Sequence, residues 1–307
     1  MRFSSRTSLL VFFGIFVLGY ILARDALLQD APLFSDRIDC GVVESVEIEE
    51  ASGLVASRIN PDVLWIHNDS GGRNVLYALD IRGGFLGMLH IPGADARDWE
   101  DIAIGPGPEA GKSYLFIGDI GNNLSLHEQI YIYRVPEPSV RDLPVPFDID
   151  AGETECITLR YPDGRRDAET LLVDPITRDI YIVTKRETNV GVYRAAYPQS
   201  TSIVVVPEKV ATIPLTDIVG GDIAPDGGEL LLKTYDDVFL WRIDPSRPLS
   251  EALNETPEHL PYRREPQGEA IAWDRDAGGY YTISEKSGSR PVYLYFYERL
   301  TGGSAED

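Results

Sequence analysis

A chain of 307 residues with 43% hydrophobic content is long enough to bury one large core. Its 49 acidic residues against 28 basic ones leave a net charge of −21, which disfavours a nucleic-acid partner, since binding a phosphate backbone needs concentrated Lys and Arg. Two cysteines, Cys40 and Cys156, exclude a disulfide-rich scaffold and any zinc site built from several thiolates. The acid surplus suits divalent cations or basic partners, or serves simply as a solubilising surface.

Residues 1–23 read as a signal or anchor segment. Arg2 and Arg6 precede an uncharged run from Thr7 to Ala23, and that run just reaches the lower limit of about 17 residues for a spanning helix. The sequence around Ala23, Arg24 and Asp25 offers no clean small-x-small cleavage site, so a retained anchor is expected, with a cytoplasmic N-terminus and an exported domain. Secretion or periplasmic release after cleavage is the alternative. Residues 24–36 read as a linker, 37–300 as one domain and 301–307 as a tail.

Within that domain a five-residue pattern returns five times, with small or acidic residues in the middle and Leu or Ile opening an apolar run. The five are Glu50-Ala-Ser-Gly-Leu54, Asp98-Trp-Glu-Asp-Ile102, Asp167-Ala-Glu-Thr-Leu171, Val219-Gly-Gly-Asp-Ile223 and Gln267-Gly-Glu-Ala-Ile271, with starts 48, 69, 52 and 48 residues apart. Each is followed by short runs rich in Val, Ile, Leu, Tyr and Trp between turn residues, the signature of an antiparallel meander. The period is that of one small sheet, which predicts an all-β fold: a β-propeller of five four-stranded blades, or six if the proline-rich Pro136–Pro146 insertion hides another sheet. The fifth repeat lacks an outermost strand, and Val42 to Ile48 is expected to supply it and close the ring. Cys40 and Cys156 then fall on outer strands of non-neighbouring blades, which disfavours a disulfide.

The first strand of a propeller blade lines the central channel, and a meander puts its start beside the loop joining the second and third strands. Glu50, Asp98, Glu100, Glu169 and Glu269 are therefore expected to converge at one channel mouth. Close carboxylates repel, so a bound cation, basic residues such as Lys185, Arg186 and Lys233, or water must neutralise them. Oxygen donors of this kind suit calcium rather than zinc. The competing reading has the same carboxylates bridging blades through backbone N–H groups. The adjoining loops add His67, Asn68, Asp69, Asp119, Asn122, Lys185, Arg186 and Tyr235 as candidate ligand-binding residues. Asx residues before glycine also tie their own turns, and His67 also fits a hydrogen-bonded residue at a strand end.

Several attractive patterns fail. Gly105 to Ser113 puts Pro106 where a phosphate loop needs glycine and is followed by a strand, so it reads as a hairpin turn. No Gly-x-Ser-x-Gly elbow and no His-Glu-x-x-His helix occurs. The tyrosines and tryptophans sit mostly at alternating strand positions, as inter-blade packing requires.

At Glu50–Leu54, Trp65-Ile-His-Asn-Asp-Ser-Gly71, Asp98–Ala103 and Gly118-Asp-Ile-Gly-Asn122 the chain resembles exported bacterial propellers of the SdiA-regulated group and, more distantly, calcium-dependent propeller hydrolases of the gluconolactonase and phytase type. The likeness runs over residues 42–298. It implies an exported propeller with a central calcium. Two functions follow: a binding module at the cell envelope for a protein or small molecule, touching the membrane only through its N-terminal segment, or a metal-dependent hydrolase of lactones, esters or phosphoesters. In the second, Glu100, Glu169 or His67 would transfer protons.

Overall fold

In a computed structural model the described residues are 32–45, 47–69 and 73–300. The anchor segment and the tail lie outside them. Among the described residues no helix is long and apolar enough to cross a membrane.

The first blade contains β2 (Ala51–Ala56), β3 (Val63–Asn68), β4 (Val75–Asp80) and β5 (Phe85–His90). The second has β6 (Trp99–Pro106), β7 (Ser113–Asp119), β8 (Ile130–Pro136) and β10 (Glu155–Leu159). The third has β11 (Ala168–Val173), β12 (Ile180–Thr184), β13 (Val190–Ala195) and β14 (Glu208–Ile213), and the fourth β15 (Ile218–Ile223), β16 (Glu229–Thr234), β17 (Val238–Arg242) and β18 (Glu258–Leu260). The fifth joins β19 (Ala270–Trp273), β20 (Gly279–Ile283) and β21 (Tyr293–Glu298) to β1 (Ile38–Val42), which comes from the other end of the domain. The innermost strands β2, β6, β11, β15 and β19 each contact the next, and β19 contacts β2, so the ring of five blades is closed.

Two details depart from the sequence reading. The closing strand is Ile38–Val42 rather than Val42–Ile48, pairing Ile38 with Phe296 and Val42 with Tyr293. Phe34, assigned to the linker, is buried under the same blade, 5.2 Å from the Tyr280 ring and 6.0 Å from Trp273. An aromatic anchor outweighs the Val/Ile pattern of the next segment. The proline-rich insertion hides no sixth sheet; it leads into β9 (Phe147–Asp150), which joins the outer edge of the first blade parallel to β5. That edge would otherwise expose unpaired backbone groups.

Inner strands such as β2, β11 and β15 are buried along their whole length, because a blade packs on each side of them. Aliphatic clusters fill the gaps between blades, as where Val55 and Trp65 meet Ile102 and Leu115, or where Leu172 and Val183 meet Leu230 and Leu232. Between blades four and five the filling is aromatic: Tyr280 and Tyr297 stack 4.7 Å apart at 10°, with Trp273 edge-on. Both cysteines are free, on β1 and β10.

Four of the five inner strands carry a β-bulge at the same place, at Ser52, Glu100, Glu169 and Val219, each skipped in the pairing with its neighbour strand. A bulge re-aims the side chain at that point. It also corrects the repeat: in blade four the segment equivalent to Asp98–Ile102 is Asp217-Ile-Val-Gly-Gly221, two residues earlier than the apolar pattern suggests, which makes the spacing 48, 69, 50 and 50.

Candidate cation site at the channel mouth

The common register stacks equivalent residues into rings. The bulge position contributes Ser52, Glu100, Glu169 and Val219, with Glu269 entering β19 as the fifth member. The residue after the second strand contributes Asp69, Ile120, Lys185 and Tyr235, and blade five adds Glu285, the second residue beyond β20. Backbone hydrogen bonds fix this second ring to the strand starts, with Asp69 N donating to Glu50 O (2.7 Å), Lys185 N to Asp167 O (3.0 Å) and Glu285 N to Gln267 O (3.1 Å).

Two clusters result. In the first, single carboxylate oxygens of Asp69, Asp98 and Glu100 lie within 4.8 Å of one another. Glu100 is 3% exposed. Its pKa is pushed well above the ordinary value, first by burial and then by Glu169, Asp69, Asp98 and Glu269, all acidic. Gly121 permits the approach: a Cβ there would stand 2.2 Å from Glu100 Oε1 and 2.4 Å from Asp98 Oδ2.

In the second, Lys185 pairs with Glu169 Oε1 and donates to the Tyr235 hydroxyl at 2.9 Å, and that hydroxyl donates to Glu269 Oε1 at 2.7 Å. Burial nonetheless pushes Glu169 up to about 8, Lys185 opposing the shift and Glu269 adding to it. Its Oε2 is buried with no hydrogen-bond partner. Glu285 rises to about 7 through burial and then Glu269, Asp69 and Glu50. Bringing these carboxylates together in a desolvated channel costs the charged form, and only Lys185 answers within the second cluster.

The remaining candidates are placed as follows. Glu50 is exposed and outside the trio, its backbone N bonded to Asn68 Oδ1 at 3.2 Å. Asn68 also donates to Glu47 O at 2.7 Å, so it fastens the segment entering blade one. His67 is wholly buried edge-on to Trp99, its Nδ1 2.8 Å from Asn68 O, and burial lowers its pKa to about 4, so it is neutral at physiological pH. Asp119 is buried 3.2 Å from the Arg97 guanidinium, and desolvation raises it to about 6 against that charge. Asn122 ties its own loop, accepting from His127 N at 3.0 Å and donating to His127 O at 2.9 Å. Arg186 reaches out to Asp167 and Asn123. Lys233 is fully buried, donating to the carbonyls of Gly268 and Thr234, and desolvation lowers it to about 8.

Carboxylates do bridge blades through backbone N–H groups, but a different set does so. Asp101 on β6 accepts from Leu171 N at 2.9 Å, Asp222 on β15 from Trp273 N at 3.0 Å, and Asp167 from Asn122 N at 2.7 Å. Asp101 and Asp222 alternate with the channel positions along their strands. The sequence places Asp69 among general ligand residues rather than with Asp98 and Glu100, and it assigns no site role to Glu285 or Gly121, although both fall in loops on that face. The signal for Asp69 and Glu285 was the shared register of the second strands, which the shifted fourth repeat obscured.

No family model matches the chain, and no curated protein does. Among solved structures it is similar to a nidogen/laminin complex (12% identity, 79% of this chain and 74% of that one, TM-score 0.47) and to Kuenenia stuttgartiensis hydrazine synthase (11%, 82% and 84%, 0.43). It is also similar to a structure described as the Dos1 propeller (12%, 80% and 67%, 0.36).

Proposed function

We propose that this propeller is a ligand- or protein-binding module at the cell envelope, anchored through its N-terminal segment, with a divalent cation at the mouth of its channel held by Asp69, Asp98 and Glu100. The observation that carries the reading is the meeting of those three carboxylates within 4.8 Å, one of them almost wholly buried and surrounded by further acids. An all-oxygen set without thiolates or a histidine suits calcium. The buried Oε2 of Glu169, without a hydrogen-bond partner among the described residues, is a second unsatisfied oxygen in the channel. The resemblance to SdiA-regulated and calcium-dependent propellers points the same way.

The test is a calcium titration of the full-length chain, purified in mild detergent and stripped with chelator, followed by calorimetry and by thermal unfolding. A cation bound only by the folded state stabilises it by about 2.7 kcal/mol at a hundredfold excess over Kd. No heat and no shift of the unfolding midpoint up to millimolar calcium would remove the cation from the reading.

One observation favours a hydrolase. Glu169, at about 8, sits one inner strand from Glu100 and retains a proton at neutral pH, as a general acid must. In that reading the cation polarises the substrate's carbonyl or phosphoryl oxygen. Turnover of a lactone, ester or phosphoester that disappears in Glu169→Gln, with calcium binding intact, would decide for it.

A further inference from the structure

Beside the acidic mouth, on the same face, a cleft of about 460 Å³ opens between blade five and the segment leading out of blade four. Its walls carry three arginines, Arg37, Arg264 and Arg290, and two tyrosines, Tyr293 and Tyr295. In a chain with a charge of −21 this is a local reversal of sign. Glu265 also lines the cleft but is 3% exposed, accepts from Thr282 Oγ1 at 2.6 Å and is answered by the charges of buried Lys233 and Arg37. Arg264 meets Asp236 at 3.1 Å with both side chains mostly in solvent, a pair worth little, and Arg290 makes no ion pair among the described residues. Two guanidinium groups are thus left to face an incoming ligand.

Tyr293 and Tyr295 stand on one side of β21 as a stacked pair, with ring centroids 5.9 Å apart and planes within 14°. The Arg37 guanidinium covers Tyr295 at 4.0 Å, which leaves Tyr293 as the open ring. Ser287 adds an exposed hydroxyl, whereas Ser284 is buried with its hydroxyl on Glu285 O at 3.2 Å. A tyrosine face carries negative quadrupole charge and attracts the weakly positive C–H bonds of a sugar ring. Arginine forks match carboxylates, and the volume falls within the ordinary range of small-ligand sites. Glu285 stands between cleft and mouth, so a phosphate dianion meets about twice the repulsion of a single carboxylate there.

We propose that this cleft binds an acidic sugar, a uronic-acid residue of a glycan, with its carboxylate on Arg264 and Arg290 and its ring on Tyr293. The site needs no cation and goes beyond the function proposed above. The experiment is calorimetry of the full-length chain with digalacturonate, with the matching neutral disaccharide and with inorganic phosphate, each in calcium and in chelator. Digalacturonate is expected to bind in both buffers, and Arg264→Ala and Arg290→Ala, both exposed and so tolerated by the fold, should each weaken it roughly tenfold, as loss of a charge-assisted hydrogen bond does. Tyr293→Leu should weaken the sugar without restoring phosphate. Equal binding of the neutral sugar or of phosphate, indifference to the arginine variants, or no binding at millimolar sugar would overturn the assignment. So would binding that requires calcium, because it would seat the sugar at the acidic mouth.

Discussion

The hydroxyl of Tyr235 lies 2.7 Å from Glu269 Oε1, and with Lys185 it closes a chain from Glu169 to Glu269 across three blades. The chain ties Glu169 and Glu269 to groups of the protein, apart from the trio of Asp69, Asp98 and Glu100. Tyr235→Phe keeps the ring but leaves a buried carboxylate oxygen and an ammonium without their shared partner. We expect a loss of about 1–3 kcal/mol in urea unfolding, with calcium binding unchanged.

Glu100→Gln carries two opposite expectations. Removing a buried charge ringed by acids should stabilise the chelated protein, because the desolvation and repulsion that raise its pKa disappear. The same change removes a cation ligand, so the calcium-dependent rise in the unfolding midpoint should vanish. A variant that is less stable without calcium, or that keeps the full rise, would contradict the site.

Gly121→Ala tests the geometry without touching a charge. The new Cβ would meet the ends of Glu100 and Asp98, which must swing apart. The expected result is a fold of wild-type content by circular dichroism with calcium affinity reduced at least about tenfold, since a displaced hard-ligand set loses much of its cation binding.

The pH dependence follows from Glu169 at about 8 and Glu285 at about 7, against an ordinary value of 4.5. Both are raised in the folded state, so the folded chain holds protons that the unfolded chain has released. Without calcium, stability should be greatest below about pH 4.5 as far as these two groups are concerned and fall as pH climbs through 7 to 8. A cation opposes that repulsion, so the calcium-induced midpoint shift should be larger at pH 8 than at pH 5.5, read by differential scanning calorimetry.

Phe34→Ala probes ring closure. The side chain is 1% exposed against Trp273 and Tyr280, beneath the Arg299 guanidinium. A buried phenylalanine cut to alanine costs about 3–5 kcal/mol. Amide exchange should show the loss first in β1 and β21, where the two ends of the domain meet.

Much of the fold was legible because blades are built from local meanders. The alternation of Val63-Leu-Trp-Ile-His67 or Val190-Gly-Val-Tyr193 and the turns between runs need only neighbours in sequence. The repeated Asp98-Trp-Glu-Asp-Ile102 pattern gave the inner strands and the face on which the acids gather. Blade four misled because its apolar residues keep the strand pattern while its bulge sits two residues earlier, and bulges are set by pairing with the next strand. The closing strand misled for a similar reason. Val42 to Ile48 has the better β composition, yet Phe34 fits the aromatic gap below Trp273 and drags Ile38–Val42 into register.

By itself, then, the sequence determined the all-β class, the number of repeats and the gathering of acids at the starts of the inner strands, since each rests on composition or on contacts a few residues apart. Only the tertiary structure decided which acids share a space. Asp69, Asp98 and Glu100 come from two blades, Glu169 is taken by Lys185 and Glu269 by Tyr235, and the arginine cleft is assembled from three separate segments. Those pairings depend on how five sheets close around an axis, and that closure brings together residues as far apart in sequence as Phe34 and Trp273.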